Sequence, residues 1–142
     1  MFETTHIHPM IVHFPIAIII VGFLADTLYL FFKQESWLSK AGFSLMLLGT
    51  LAACVAALTG ILFTTAPTEG EIAGIYQLHI TGACVTVTIM LLASIFRIYV
   101  VLKQREERFK WIVYGLYVGG TAAVSFTGFI GGTMVYTYML GI

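Results

Sequence analysis

Charged residues are scarce in this chain. Of its 142 residues only 7 are Lys or Arg and 7 are Asp or Glu, whereas 59% are hydrophobic. About a quarter of the residues in a soluble domain are charged, and a soluble domain of this size could not bury so much apolar surface. Lipid must therefore cover the excess. Since the formal net charge is zero and the basic residues are few, we expect no nucleic-acid partner.

Reactive motifs are also missing. The two cysteines, Cys54 and Cys84, lie inside apolar runs and form no CxxCH motif, which excludes a covalently attached heme. No spacing typical of a serine–histidine–aspartate triad is present, so the sequence predicts no catalytic residues. A cleaved signal peptide is not expected either, because residues 1–8 contain no Lys or Arg and the following apolar run is too long.

Four long apolar runs dominate what is present, near residues 10–32, 42–65, 76–102 and 111–139. A helix needs about 20 apolar residues to cross a bilayer, and its backbone polar groups must be satisfied within the segment. The runs lack the period-2 alternation of barrel strands. The sequence therefore predicts an all-α integral membrane protein, an up-and-down four-helix bundle that forms a single domain over residues 1–142.

The basic residues predict the orientation of this bundle. All seven lie at or in the first and third links between the apolar runs: Lys33, Lys40, Arg97, Lys103, Arg105, Arg108 and Lys110. Loops rich in Lys and Arg stay on the cytoplasmic side. Both termini are therefore predicted to lie on the outer, periplasmic side.

Histidines are concentrated at the predicted outer ends of the helices. His6, His8 and His13 surround the start of the first apolar run, and His79 stands near the start of the third. Ionisable side chains within membrane segments are costly and usually functional or paired. Asp26, an acid near the inner end of the first run, is expected either to reach the interface or to pair with Arg97.

A weak internal repeat relates the two halves of the chain. His79 follows His13 by 66 residues (79 − 13), and Thr127 follows Thr59 by 68 (127 − 59). Two parallel helical hairpins would be related by an axis along the membrane normal. We therefore expect His13 and His79 to face each other across that axis, at similar depth.

These observations predict one b-type heme near the outer face, with His13 and His79 as its axial ligands. Two imidazoles fill both axial positions, which suits electron transfer rather than oxygen activation. Small residues are predicted to leave room for the porphyrin: Ala17, Gly82, Gly128, Gly131 and Gly132. We expect a non-catalytic electron carrier or subunit rather than an enzyme.

Two alternatives stay open. Imidazole and carboxylate ligands suit zinc, copper or iron, which predicts a metal site built from His6, His8 and His13, with Glu69 or Glu71. The histidines can also have a structural role, bonded to each other or to water, in a subunit without a cofactor. Rows of small residues in the second and fourth helices favour close helix packing and a homo-oligomer or a subunit of a larger complex.

Three stretches resemble one known family. They are the opening His8-Pro9-Met10-Ile11-Val12-His13-Phe14-Pro15, the later Leu58-Thr59-Gly60, and the closing Thr127-Gly128-Phe129-Ile130-Gly131-Gly132. Together with His79 they are similar to the bacterial four-helix membrane family called domain of unknown function 2231.

The resemblance implies a multi-pass protein of the bacterial inner membrane. Domains of this family are sometimes joined to Rieske or cytochrome c domains, which implies electron transfer and an outer-face cytochrome, Rieske or quinone partner. Members often carry an acidic residue after the Thr-Gly of the second helix. This chain has Ile61-Leu62-Phe63 there, which weakens an ion-pathway interpretation.

Overall fold

Helices form nearly all of residues 7–138, the part of the chain that the computed structural model describes. They are α1 (Ile7–Ile11), α2 (His13–Phe31), α3 (Ser36–Phe63), α4 (Glu71–Leu102) and α5 (Glu106–Tyr138). Four spans are long and apolar enough to cross a membrane: His8–Phe31, Ser36–Phe63, Glu71–Leu102 and Glu106–Tyr138. The predicted all-helical fold with four candidate membrane helices is confirmed. His6 lies outside the described residues.

The last three helices begin earlier than their apolar runs suggested. α3, α4 and α5 begin at residues 36, 71 and 106 rather than near 42, 76 and 111. Apolar runs report the thickness of the hydrocarbon layer, whereas helical hydrogen bonding continues through polar residues in the interface and in water. The charged stretch Glu106–Lys110 is therefore the first turn of α5, as an extension of the helix into water.

A break at Val12 separates α1 from α2. Pro15 lies four residues beyond Ile11, so it has no N–H to donate to the Ile11 carbonyl, and its ring crowds that group. The N–H of Val12 still donates to the carbonyl of His8, at 3.1 Å. The chain therefore continues in nearly the same direction, but the helical register is interrupted between His8 and His13.

The four long helices form an up-and-down ring. α2 packs most extensively on α3 and α4 on α5, while smaller α3–α4 and α2–α5 contacts close the ring. α2 therefore lies diagonally opposite α4, and α3 lies opposite α5. Completely buried side chains at the centre come from all four helices: Ile19, Met46, Met90 and Tyr117.

The two hairpins repeat with a constant offset of 71 residues. Ile19 and Met90 are both completely buried, and so are Met46 and Tyr117 (90 − 19 and 117 − 46). α2 and α4 also end at equivalent residues, 31 and 102. The intervals of 66 and 68 expected from the sequence are corrected to 71, because buried positions, not the few shared polar residues, keep the register. We call residues 8–63 the first half and 79–134 the second half.

A buried ion pair crosses the centre of the bundle near the inner ends of α2 and α4. The guanidinium of Arg97 contacts both carboxylate oxygens of Asp26, with Nη2 2.9 Å from Oδ1. Arg97 also donates to the carbonyl of Ser39 at 3.2 Å and lies over the ring of Phe43. Of the two expectations for Asp26, pairing with Arg97 is the one observed.

Candidate functional site

His8 and His79 meet at the outer end of the bundle. The centroids of their rings lie 6.4 Å apart and the ring planes are nearly perpendicular, at 79°. His8 is in α1 and His79 is in α4, on opposite sides of the ring of helices. They are equivalent in the repeat (79 − 8 = 71) and both are half-buried. The two halves of the chain thus contribute one imidazole each to a single site.

The first ring is held by α3. Nδ1 of His8 lies 3.1 Å from Oγ1 of Thr59. The Thr59 hydroxyl gives its hydrogen to the carbonyl of Ala56, at 2.9 Å. Because a hydroxyl has one hydrogen, Thr59 accepts and His8 Nδ1 donates. Beside this bond the ring packs on Gly60, where a Cβ atom would lie 3.0 Å from the His8 Cε1 atom.

The second ring is held by α5 in the same manner. Nδ1 of His79 donates to the carbonyl oxygen of Thr127, at 3.2 Å. The hydroxyl of Thr127 donates to the carbonyl of Ala123 and lies 3.3 Å from that of Thr86. The ring packs on Gly131, where a Cβ atom would lie 3.1 Å from the His79 Cε1 atom. Gly60 and Gly131 are themselves 71 residues apart.

These hydrogen bonds determine the tautomer of both rings. Each Nδ1 carries a hydrogen, so in a neutral ring Nε2 holds an unshared electron pair. A histidine that binds a metal through one nitrogen usually donates the other N–H to a carbonyl, a carboxylate or water, which fixes the orientation of the ring. Chemically, the pair can bind a proton or a metal atom through Nε2 of His8 and Nε2 of His79.

The structure does not bring His13 to this site. Its side chain is exposed, and Nδ1 donates to the carbonyl of Pro9, at 2.7 Å, within its own turn. His13 follows His8 by five residues, which rotates it by about 140° around a helix. The facing pair is therefore His8 and His79 rather than His13 and His79.

The predicted cofactor-lining residues are dispersed. Ala17 lines a shallow groove of about 230 Å³ with His13, Phe14 and Ile18. Where Gly82 and Gly128 have no side chain, Thr127 and Ile16 fill the space, since added Cβ atoms would lie 2.6 and 2.8 Å from them.

Only one of the predicted glycines touches a histidine of the pair. Gly131 packs on His79, whereas an added Cβ atom at Gly132 would meet nothing within 4 Å. Thr59 and Gly60 were missed as site residues. Their shared offset with the second half, Gly60 to Gly131 as His8 to His79, is the signal that identifies them.

The pair itself contains two candidate metal ligands. Within residues 7–138, no group of three or more His, Cys, Asp or Glu side chains is arranged to hold a metal ion. A mononuclear zinc site usually takes three or four protein ligands. The alternative metal site therefore depends on His6, which is two residues before His8 and outside the described residues.

Comparisons with known proteins give a family and no activity. A family model described as "Predicted membrane protein (DUF2231)" matches residues 4–142 of the chain. No curated protein and no solved structure matches the chain.

Proposed function

This chain belongs to the DUF2231 family of membrane proteins, and we propose that it transfers electrons through one b-type heme held by His8 and His79. The family description names no activity, so the proposal rests on the geometry of the pair. The observation that carries it is the fixed tautomer of both rings. Each Nδ1–H is used in a hydrogen bond to the same half of the chain, which leaves both Nε2 atoms as ligands.

The number of ligands favours heme over a bare ion. A porphyrin supplies four nitrogens to its iron, so two imidazoles complete the coordination. A metal–imidazole bond is about 2.0 Å and the ring centroid lies about 1 Å further, so two rings on opposite sides of one iron have centroids about 6 Å apart. The observed 6.4 Å is close to this separation. Two axial histidines suit a carrier of electrons rather than an oxygen-activating centre.

The small residues do not already provide the space. Gly60 and Gly131 contact the imidazoles, and Gly82 and Gly128 are covered by Thr127 and Ile16. Heme binding therefore requires the outer ends of the two halves to move apart. The break at Val12 permits this, because α1 can move without moving α2.

The proposal includes location and partners. We place the pair on the periplasmic side of a bacterial inner membrane, because all seven Lys and Arg lie at the opposite ends of the helices. There the centre can exchange electrons with an outer-face cytochrome, a Rieske protein or quinone. Added Cβ atoms at Gly115 and Gly132 would meet nothing within 4 Å, so α5 can pack closely on another helix, in a homo-oligomer or a larger redox complex.

A second candidate is a zinc, copper or iron ion bound by His6, His8 and His79. The observation that favours it is the short separation of His8 and His79 in the closed bundle, where an ion needs less room than a porphyrin. In both candidates His8 and His79 are ligands, and His6 is needed only for the ion. A third outcome is a structural subunit without a cofactor.

The test is a visible spectrum and a metal analysis of protein purified from a host that makes heme. We expect a low-spin Soret band that is lost in His8→Ala and in His79→Ala and kept in His6→Ala. His13→Ala is the matched control, since it removes an imidazole five residues away, and we expect it to keep the band. Circular dichroism and gel filtration establish that each variant is folded.

Other results would contradict the proposal. Loss of the band in His13→Ala but not in His8→Ala would return the ligand role to His13. A colourless protein with a bound ion that His6→Ala removes would favour the metal site. A colourless, metal-free wild type would leave the structural role.

A further inference from the structure

The Asp26–Arg97 pair has a particular place in the repeat. The two residues are equivalent in the two halves (97 − 26 = 71) but carry opposite charges. They lie on α2 and α4, which are diagonally opposite, so the ion pair crosses the axis that relates the halves. Both side chains are about one-tenth exposed, and both guanidinium nitrogens in contact have an oxygen partner.

Other central residues do not distinguish one half from the other. Ile19 and Met90 are apolar equivalents, and His8 and His79 are identical. If the first half of one copy packed against the first half of another, these positions would tolerate it. Position 26 would not, since two aspartates would meet in the core of the bundle. Two second halves would bring together two arginines. Buried like charges without partners are strongly unfavourable.

A membrane makes this discrimination necessary. Lipid tails are as apolar as helix surfaces, so apolar faces alone give little preference for one helix pair over another. A single buried polar pair can determine partner and register, as it does in coiled coils. In a chain built from two similar halves, the competing partner is the like half of another copy.

We infer that the ion pair between Asp26 and Arg97 determines which halves pair: each half recognises the unlike half and rejects its own kind in a second copy. The interface is the inner face of the hairpin, and its partner is the other half of the same chain. The inference is independent of any cofactor at the histidine pair.

The test replaces the ion pair with apolar residues of similar size and looks for pairing of like halves. In a background with Cys54→Ala and Cys84→Ala, His8→Cys places one thiol at the outer end of the axis. Two first halves that pair bring two such thiols together, and a short bifunctional thiol reagent then links the copies. We expect D26L/R97M to give at least a fivefold increase in linked dimer over the parent with the native ion pair.

Two control variants separate recognition from stability. The charge-exchanged D26R/R97D keeps opposite charges, so we expect it to remain as unlinked as the parent. Adding His79→Cys to each variant gives a link within one chain wherever the native arrangement forms. It therefore reports folding in the same membranes.

Two outcomes would overturn the inference. If D26L/R97M folds and gives no more linked dimer than the parent, the ion pair does not select the partner. If D26L/R97M gives neither the link within the chain nor a folded protein, the pair is needed for stability instead.

Discussion

His8 and His79 occupy equivalent positions in the two halves of the chain, and each packs its ring on a glycine of its own half. The glycines, Gly60 and Gly131, are equivalent as well. A helix without a side chain at that position lets the imidazole approach the backbone closely. The site is therefore a duplicated unit of one histidine and one glycine, and its two copies meet at the outer end of the axis.

This arrangement predicts opposite effects for two adjacent glycines. In Gly131→Ala the new Cβ would lie 3.1 Å from Cε1 of His79, so the imidazole must shift. In Gly132→Ala the new Cβ meets nothing within 4 Å, and alanine is the better helix former by about 1 kcal/mol. We expect Gly131→Ala to weaken cofactor binding at least tenfold and Gly132→Ala to leave it unchanged. Titration of the apoprotein with heme, followed at the Soret band, measures both.

Equal loss of affinity in the two variants would contradict this account, since it would mean that the glycines act through helix flexibility and not through contact with His79. Gly60→Ala provides a second check in the first half. Its Cβ would lie 3.0 Å from Cε1 of His8, so we expect it to behave as Gly131→Ala does.

Two tyrosines of α5 predict opposite changes in stability. Among the described residues, the buried hydroxyl of Tyr117 has no hydrogen-bond partner. The hydroxyl of Tyr114 lies 3.1 Å from Oγ1 of Thr27, which donates to the carbonyl of Phe23, so Tyr114 donates. We expect Tyr117→Phe to raise the free energy of unfolding by about 1 kcal/mol and Tyr114→Phe to lower it by a similar amount.

Thermal unfolding of both variants in one detergent measures this difference. A lower Tm for Tyr117→Phe would mean that its hydroxyl has a partner in the membrane, and a buried water molecule would then be the first to look for.

The positive-inside rule predicts which side of the membrane holds the histidine pair. Lys33 and Lys103 lie in the links at the inner ends of the hairpins, with Lys40 and Lys110 close by in the first turns of α3 and α5. We expect reporter fusions at residues 32–35 and 103–105 to be cytoplasmic and fusions at 64–70 to be periplasmic. Accessibility of the 103–105 link from the periplasm would reverse the orientation and place His8 and His79 on the inner side.

The sequence was sufficient to predict the helices and one of the two central pairs. Apolar runs of this length have one structural solution in lipid. Asp26 and Arg97 are charged residues within membrane helices, and each needs the other. Their pairing could therefore be expected without knowledge of packing.

The histidine pair could not be predicted in the same way. His8 and His13 are five residues apart and chemically identical, so only the rotation of the helix and the break at Val12 decide which of them faces His79. The offset of 71 residues would have decided it, but few residues are identical at that offset. The repeat is kept by burial, and burial follows from packing that a single sequence does not display.

The ion pair between the halves also has a consequence for synthesis. Asp26 leaves the ribosome 71 residues ahead of Arg97, which at about 5–20 residues per second is roughly 4–14 s. During this interval the first hairpin is complete, but its buried acid has no counter-charge. The carboxyl must stay protonated, remain hydrated at the interface, or be sheltered by the insertion machinery until α4 arrives. The order of the two charges along the chain thus makes insertion of the second hairpin the step that commits the first to its final depth.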